Sequence, residues 1–96
     1  MILKLHPKAE EDLIDALNYY HDIDEQLESK FLKYVEFTFD KIKKFTHLYP
    51  YENQTVQKVT VEKFPYIVLY EQYKDMIMIL AIFHTKRDPE NLTDRA

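Results

Sequence analysis

The sequence predicts an α+β fold in the order β-α-α-β-β-β, with a helical hairpin packed on one face of a mostly antiparallel sheet. Two observations lead to this fold class. Apolar residues recur every three or four positions in the first half of the chain, as on amphipathic helices. In the second half they alternate or run in blocks rich in Val, Ile, Tyr and Phe, as in strands. A length of 96 residues indicates one domain, 1–96.

The first predicted strand is short, from Ile2 to Leu5, and ends before His6 and Pro7. Proline suits the first turn of a helix because the N–H that it lacks has no helical partner there. A helix is therefore expected from Pro7 to about Tyr20. His6 occupies the N-cap position, and we expect its capping to be weak.

The second helix is expected to begin near Asp22, because Asp22 and Glu25 have the spacing of a capping box. Phe37 and Phe39 lie off the centre of its apolar stripe. The helix is therefore either clasped between the sheet and the first helix or offers apolar surface to a partner. The stripe itself consists of Leu27, Phe31, Tyr34, Thr38, Ile42 and Phe45. Pro50 ends the helical region, and residues 51–57 are predicted as a polar loop.

Three strands are predicted to follow, Lys58 to Glu62, Tyr66 to Gln72 and Met76 to His84. The last two are expected to form an antiparallel hairpin because only three residues connect them. The last strand is apolar on both faces, so we expect it inside the sheet. Strand alternation assigns one face to Met76, Met78, Leu80 and Ile82 and the other to Ile77, Ile79, Ala81 and Phe83.

Composition excludes several classes of protein. The chain has no glycine, so a glycine-rich phosphate loop is excluded, and positive φ angles are expected at Asn53, Asp75 and Asn91. It has no cysteine, which excludes disulfides and thiolate zinc sites, and its four histidines lack metal-ligand spacing. We expect no metal and no cofactor. With neither a signal peptide nor the ~20 apolar residues of a membrane helix, a cytoplasmic protein with no membrane contact is expected.

The end of the last predicted strand is the candidate site, because the polar sequence His84-Thr85-Lys86-Arg87 follows nine apolar residues. His84 is either a general acid or base or a strand-end residue that bonds to a neighbouring loop. Lys86 and Arg87 either bind RNA phosphates or an acidic protein surface, or are a solvated pair. The net charge of −4 lacks the basic surplus that is typical of unaided nucleic-acid binding.

The segment Phe64-Pro65-Tyr66, together with Tyr70 and a strand ending in His84, Arg87 and Pro89, resembles the RelE/ParE superfamily of type II toxins, the plasmid stabilisation protein family. Many members have F-P-Y, then Tyr, then H-x-x-R-x-P. The resemblance covers essentially the whole chain, so residues 1–96 are expected to form one toxin domain of RelE-like fold. It also implies a cognate antitoxin as partner and either a homodimer or a toxin-antitoxin hetero-oligomer.

The resemblance implies one of two activities and leaves open whether the chain is an enzyme. RelE-like members cut mRNA on the ribosome, and His84 and Arg87 would then be catalytic. ParE-like members bind DNA gyrase, a function that needs no nucleophile. The chain lacks the C-terminal Tyr or basic extension of many RNA-cutting members, which favours the ParE-like activity; a third alternative is an inactive or non-toxic binding module. The candidate target-binding residues are Lys63, Tyr66, Lys86, Arg87 and Arg95.

Overall fold

The computed structural model describes residues 1–86. Its elements are β1 (Ile2–Leu5), α1 (Pro7–Ile23), α2 (Glu25–Lys44), β2 (Val56–Thr60), β3 (Tyr66–Tyr73) and β4 (Met76–His84). The strands form one sheet in the order β1-β4-β3-β2, in which β1 runs parallel to β4 and the other neighbours are antiparallel. The predicted element order and mostly antiparallel sheet are confirmed, and β4 lies inside the sheet.

The junction between the helices differs from the prediction. Helix α1 continues past Tyr20, and Asp22 lies in its last turn instead of capping α2. Asp24 is both the last cap of α1 and the first cap of α2: its N–H donates to the Tyr20 carbonyl at 2.8 Å, and its carboxylate accepts the Gln26 N–H at 2.9 Å. One extended residue therefore caps both helices, by pairing one carbonyl of α1 and one N–H of α2. The predicted capping box at Asp22 is wrong.

The main core lies between the helices and one face of the sheet. It consists of buried residues from both helices and from the sheet. The helices contribute Ala9, Ala16, Tyr20, Phe31, Val35 and Ile42. The sheet residues include Tyr66, Val68, Tyr70, Ile77, Ile79 and Ile82. A second buried cluster holds no residue of either helix and consists of Val56, Leu69, Leu80, Ala81 and Phe83. Phe31, Thr38 and Ile42 of the predicted α2 stripe are buried, but Phe45 is 43% exposed, so the stripe is wrong at its C-terminal end. Val35, which the stripe left out, is fully buried.

A β-bulge changes the faces of β4. Leu69 pairs with Ala81, but its neighbour Tyr70 pairs with Ile79, which leaves Leu80 as an extra residue. Beyond this point the alternation is reversed, and Ile82 belongs to the helix-side core. The prediction that Ile82 shares a face with the strand's earlier even-numbered residues is therefore wrong.

Strand β2 begins at Val56, two residues before the predicted start. It includes Gln57, which was predicted in the polar loop but is fully buried. Its side-chain nitrogen donates to the carbonyl oxygens of Thr46 and Tyr49 at 2.8 and 3.1 Å, and its oxygen accepts from Gln72 at 2.8 Å. The Tyr70 hydroxyl donates to the same Thr46 carbonyl at 2.7 Å. Burial raises the pKa of Tyr70 to about 12, and the network ties the end of α2 to the sheet.

Two lysines, and neither Asn53 nor Asp75, adopt positive φ in the described residues. The φ angles are 68° at Lys63 and 56° at Lys74, a conformation that costs roughly 1 kcal/mol for a residue with a Cβ. The Asn53 carboxamide instead accepts the N–H groups of Thr55 and Val56, both at 2.9 Å, as in an Asx turn. The predicted position Asn91 lies outside the described residues.

We predict that Gln57→Leu lowers the free energy of unfolding by about 1–3 kcal/mol, because buried carbonyl groups lose their donor. Tyr70→Phe should cost only about 1 kcal/mol, since Thr46 keeps its bond from Gln57. Urea unfolding monitored by circular dichroism gives both values. Gln54→Leu, at an exposed position of the preceding loop, is the matched control. Equal losses at positions 57 and 54 would contradict the role of the network.

A second prediction concerns His21, whose Nδ1 lies 2.9 Å from Glu28 Oε1 across the helical hairpin. The hydrogen bond and the charge of Glu28 raise the pKa of His21 above its ordinary value of 6.5. Stability from this pair is complete below about pH 6.5 and is lost as the pH rises through the raised pKa of the folded state.

Glu28→Gln should lower the pKa of His21, measured by NMR titration of the imidazole, and should remove this pH dependence from the unfolding midpoint. Glu25→Gln is the control, because the charge of Glu25 acts on His21 more weakly. A His21 pKa that falls as far in Glu25→Gln as in Glu28→Gln would disprove the assignment.

Candidate functional site

One end of the sheet brings together most of the candidate residues. Tyr66, the first residue of β3, pairs with His84, the last residue of β4. The pairing continues outward through a bond from the Thr85 N–H to the Pro65 carbonyl at 2.9 Å. Lys63 and Lys86 lie in the two turns on either side. We call Lys63, Tyr66, His84 and Lys86 the basic rim.

Arg87 and Arg95 were also candidate site residues, and both lie outside the described residues. Their roles in catalysis or target binding stay predictions. The structure therefore places four of the six candidate residues at one end of the sheet.

Tyr66 is a core residue. Its side chain is only 3% exposed, and its ring centroid lies 4.9 Å from that of Phe31 and 6.1 Å from that of Tyr20. The His84 ring meets it edge-on at 5.2 Å and 84°. Such aromatic contacts each contribute about 0.5–1.5 kcal/mol beyond the buried area. The geometry therefore gives Tyr66 a packing role.

His84 closes a local turn. Its Nδ1 accepts the backbone N–H of Lys86 at 3.1 Å, and the imidazole is partly buried. A neutral ring that accepts at Nδ1 carries its proton at Nε2. This arrangement corresponds to the structural alternative for His84, a strand-end residue bonded to the adjoining backbone. A role as general acid or base stays a prediction.

The two lysines are the exposed part of the basic rim. The Lys63 ammonium lies 5.6 Å from the centroid of the Tyr34 ring, a cation–π contact that holds the turn against α2. The neighbouring Glu62 carboxylate lies 3.7 Å from Lys41 of α2, with both groups at least half exposed. Lys63 and Lys86 therefore present two cations that suit an acidic side chain or a phosphate.

Asp12 of α1 supports the rim, and the sequence analysis did not single it out. Its Oδ2 accepts the N–H of Ile82 at 2.9 Å. The β-bulge lies just before Ile82, and the bond fixes β4 against α1 two residues before His84. Sequence offers no signal for this bond, because it joins residues 70 positions apart.

The described residues contain neither a metal-binding cluster nor a membrane-spanning helix. Within residues 1–86, no cluster of three or more His, Cys, Asp or Glu side chains is arranged to hold a metal ion. In the same part of the chain, neither helix combines the length and apolar character that crossing a bilayer requires.

Comparisons with known proteins agree on one family. The family model described as the ParE toxin of the type II toxin-antitoxin system parDE matches residues 3–89. A solved structure of a chromosomal ParDE TA system from P. aeruginosa is similar, with a TM-score of 0.67 and 25% sequence identity. The similarity covers 90% of this chain and 97% of that one. No curated protein matches the sequence.

We predict that Asp12→Ala lowers the free energy of unfolding by about 1.5–3 kcal/mol, the contribution of a hydrogen bond to a charged acceptor. Amide hydrogen exchange at Ile82 should accelerate. Asp12→Asn keeps an oxygen acceptor and should retain most of the protection. Asp15→Ala, on the solvent side of α1, is the control. Unchanged exchange at Ile82 in Asp12→Ala would show that the bond does not hold β4.

Proposed function

The chain belongs to the ParE toxin family of type II toxin-antitoxin systems, and from this membership we propose that it is the toxin of such a pair. It acts in the cytoplasm by binding a cellular target, with DNA gyrase as the candidate, and thereby inhibits growth. A cognate antitoxin binds it and neutralises it.

One observation carries this proposal: the family model for ParE toxins matches residues 3–89. The matched range includes Phe64-Pro65-Tyr66 and the end of β4, the segments that form the basic rim. A ParE-like toxin inhibits its target by binding, so the match supports the gyrase-directed alternative over the RelE-like nuclease.

The geometry of the basic rim supports the same choice. Tyr66 is buried, and the Nδ1 of His84 accepts a backbone N–H, so both aromatic groups take part in packing and turn formation. Lys63 and Lys86 are exposed cations. This arrangement suits charge-guided binding of an acidic protein surface, which speeds encounter and fixes orientation.

Expression of the chain in bacteria, alone and with the antitoxin candidate encoded beside it, tests the proposal. Growth arrest, inhibited gyrase supercoiling and intact mRNA, all relieved by the antitoxin candidate, are the expected results. Ribosome-dependent mRNA cleavage that disappears in His84→Ala and Arg87→Ala would instead establish a nuclease. Normal growth with neither effect would leave the non-toxic binding module.

We predict that Lys63→Glu and Lys86→Glu each weaken binding to purified gyrase about tenfold, mainly through slower association, because each reverses a charge at the contact. The loss should shrink as ionic strength rises. Surface plasmon resonance at several salt concentrations measures both effects. Lys30→Glu, an exposed reversal on α2, is the matched control. Equal binding by all three variants would remove the basic rim from the target interface.

A further inference from the structure

The sheet face opposite the helices carries an apolar patch near the β3–β4 turn. Leu3 and Leu5 pack into the helix-side core, so the alternating residues Ile2 and Lys4 lie on the opposite face. The patch consists of Ile2, Tyr73, Met76 and Met78, and we call it the methionine face. Ile2 is 64% exposed and Tyr73 is 58% exposed, while both methionines are partly exposed.

The strand register arranges this face in two rows. Ile2 pairs with Met76, which pairs with Tyr73, and these three form an apolar row. In the next row, Met78 lies between Lys4 on β1 and Glu71 on β3. A shallow pocket of about 240 Å³ runs over the same surface and is lined by Glu71, Tyr73, Met76, Met78 and Leu80. The methionine face therefore has an apolar centre with a cation on one side and an anion on the other.

We propose that the methionine face binds a second copy of this chain, sheet against sheet, about a two-fold axis parallel to β4. Rotation about such an axis places the β1 edge of one sheet over the β2 edge of the other. The strands of the two copies then run in the same direction. Met78 then faces Met78 of the second copy, and Ile2 faces the Tyr73 of that copy. Lys4 faces Glu71 of the second copy, twice by symmetry.

The charges decide the orientation of the two copies. A two-fold axis across the strands would place Lys4 over Lys4 and Glu71 over Glu71, and like charges in contact are unfavourable. Only the axis along β4 pairs each cation with an anion. Packed sheets lie about 10 Å apart, a gap that extended Lys and Glu side chains can bridge together.

The same charges argue for a copy of the chain over other partners. A uniformly acidic or basic segment would be attracted by one of the charges of Lys4 and Glu71 and repelled by the other. A second copy instead offers each of them a charge of opposite sign. Methionine side chains suit such a surface, because their flexible thioethers adapt to a facing side chain. The patch is thus complementary to itself.

This orientation has a consequence for target binding. Because the two copies of β4 run in the same direction, both basic rims lie at one end of the dimer. Two rims on one side allow bivalent attachment to a target that is itself two-fold symmetric, and bivalent attachment strengthens binding without any new contact.

Sedimentation equilibrium of the purified chain, without antitoxin, tests the proposal over a range of concentrations. The wild type should reach twice the chain mass of 11.7 kDa. Lys4→Glu and Glu71→Lys should each raise the dimer dissociation constant about tenfold, and the double variant should return it to within about threefold of the wild type. Met78→Asp should be monomeric, with its circular dichroism spectrum checking that it folds.

The exchange of Lys30 and Glu36 on α2, as Lys30→Glu with Glu36→Lys, is the matched control and should leave the dimer intact. A wild-type chain that stays monomeric would overturn the proposal. A dimer that survives Met78→Asp would show that another surface is used. A dimer that both single charge reversals leave unchanged would overturn the two-fold axis along β4.

Discussion

The packing of the Tyr66 ring against both helices is the contact on which the rest of the structure depends. It meets Phe31 of α2 and Tyr20 of α1 on one side and His84 of β4 on the other. Phe64 packs edge-on against the same two helix rings at 5.3 and 5.1 Å. The Phe-Pro-Tyr segment therefore anchors the helical hairpin and forms the basic rim at once. In this chain, both aromatic residues of the motif are buried in the core.

A single extra residue in β4 decides where His84 lies. Strict alternation from Met76 would place His84 on the methionine face, with the other even-numbered residues. The bulge at Leu80 reverses the alternation, so that Ile82 joins the helix-side core and His84 meets the Tyr66 ring. Asp12 holds this geometry by accepting the N–H of Ile82. The basic rim and the methionine face thus owe their separate compositions to one local irregularity.

Sequence periodicity was sufficient for the type and order of the elements, but not for every boundary or for the contacts that depend on the fold. The bounds of β1 and β4 were predicted to the residue, because apolar composition and a following polar or proline residue mark them. The bulge carries no Gly or Pro signal. Gln57 is polar and was assigned to a loop, yet it can be buried because the carbonyls of Thr46 and Tyr49 accept from its side chain. Lys63 adopts positive φ although Asn or Asp is the usual choice. None of these features has a signal in the local hydrophobic pattern.

In the basic rim, the aromatic residues pack and the lysines are exposed, and this difference affects how the rim could distinguish one target from another. Tyr66 is buried, and the Nδ1 of His84 accepts a backbone N–H, so in the proposed target binding recognition falls largely to the exposed ammonium groups of Lys63 and Lys86. Such groups distinguish charge well but shape poorly, because a lysine ammonium is a compact, hydrated charge on a flexible stem. A rim of this kind gains selectivity when two copies act at a fixed separation, since only a target with matching spacing engages both. Sheet-to-sheet pairing through the methionine face would supply that separation, and it links the two surfaces of the molecule in one function.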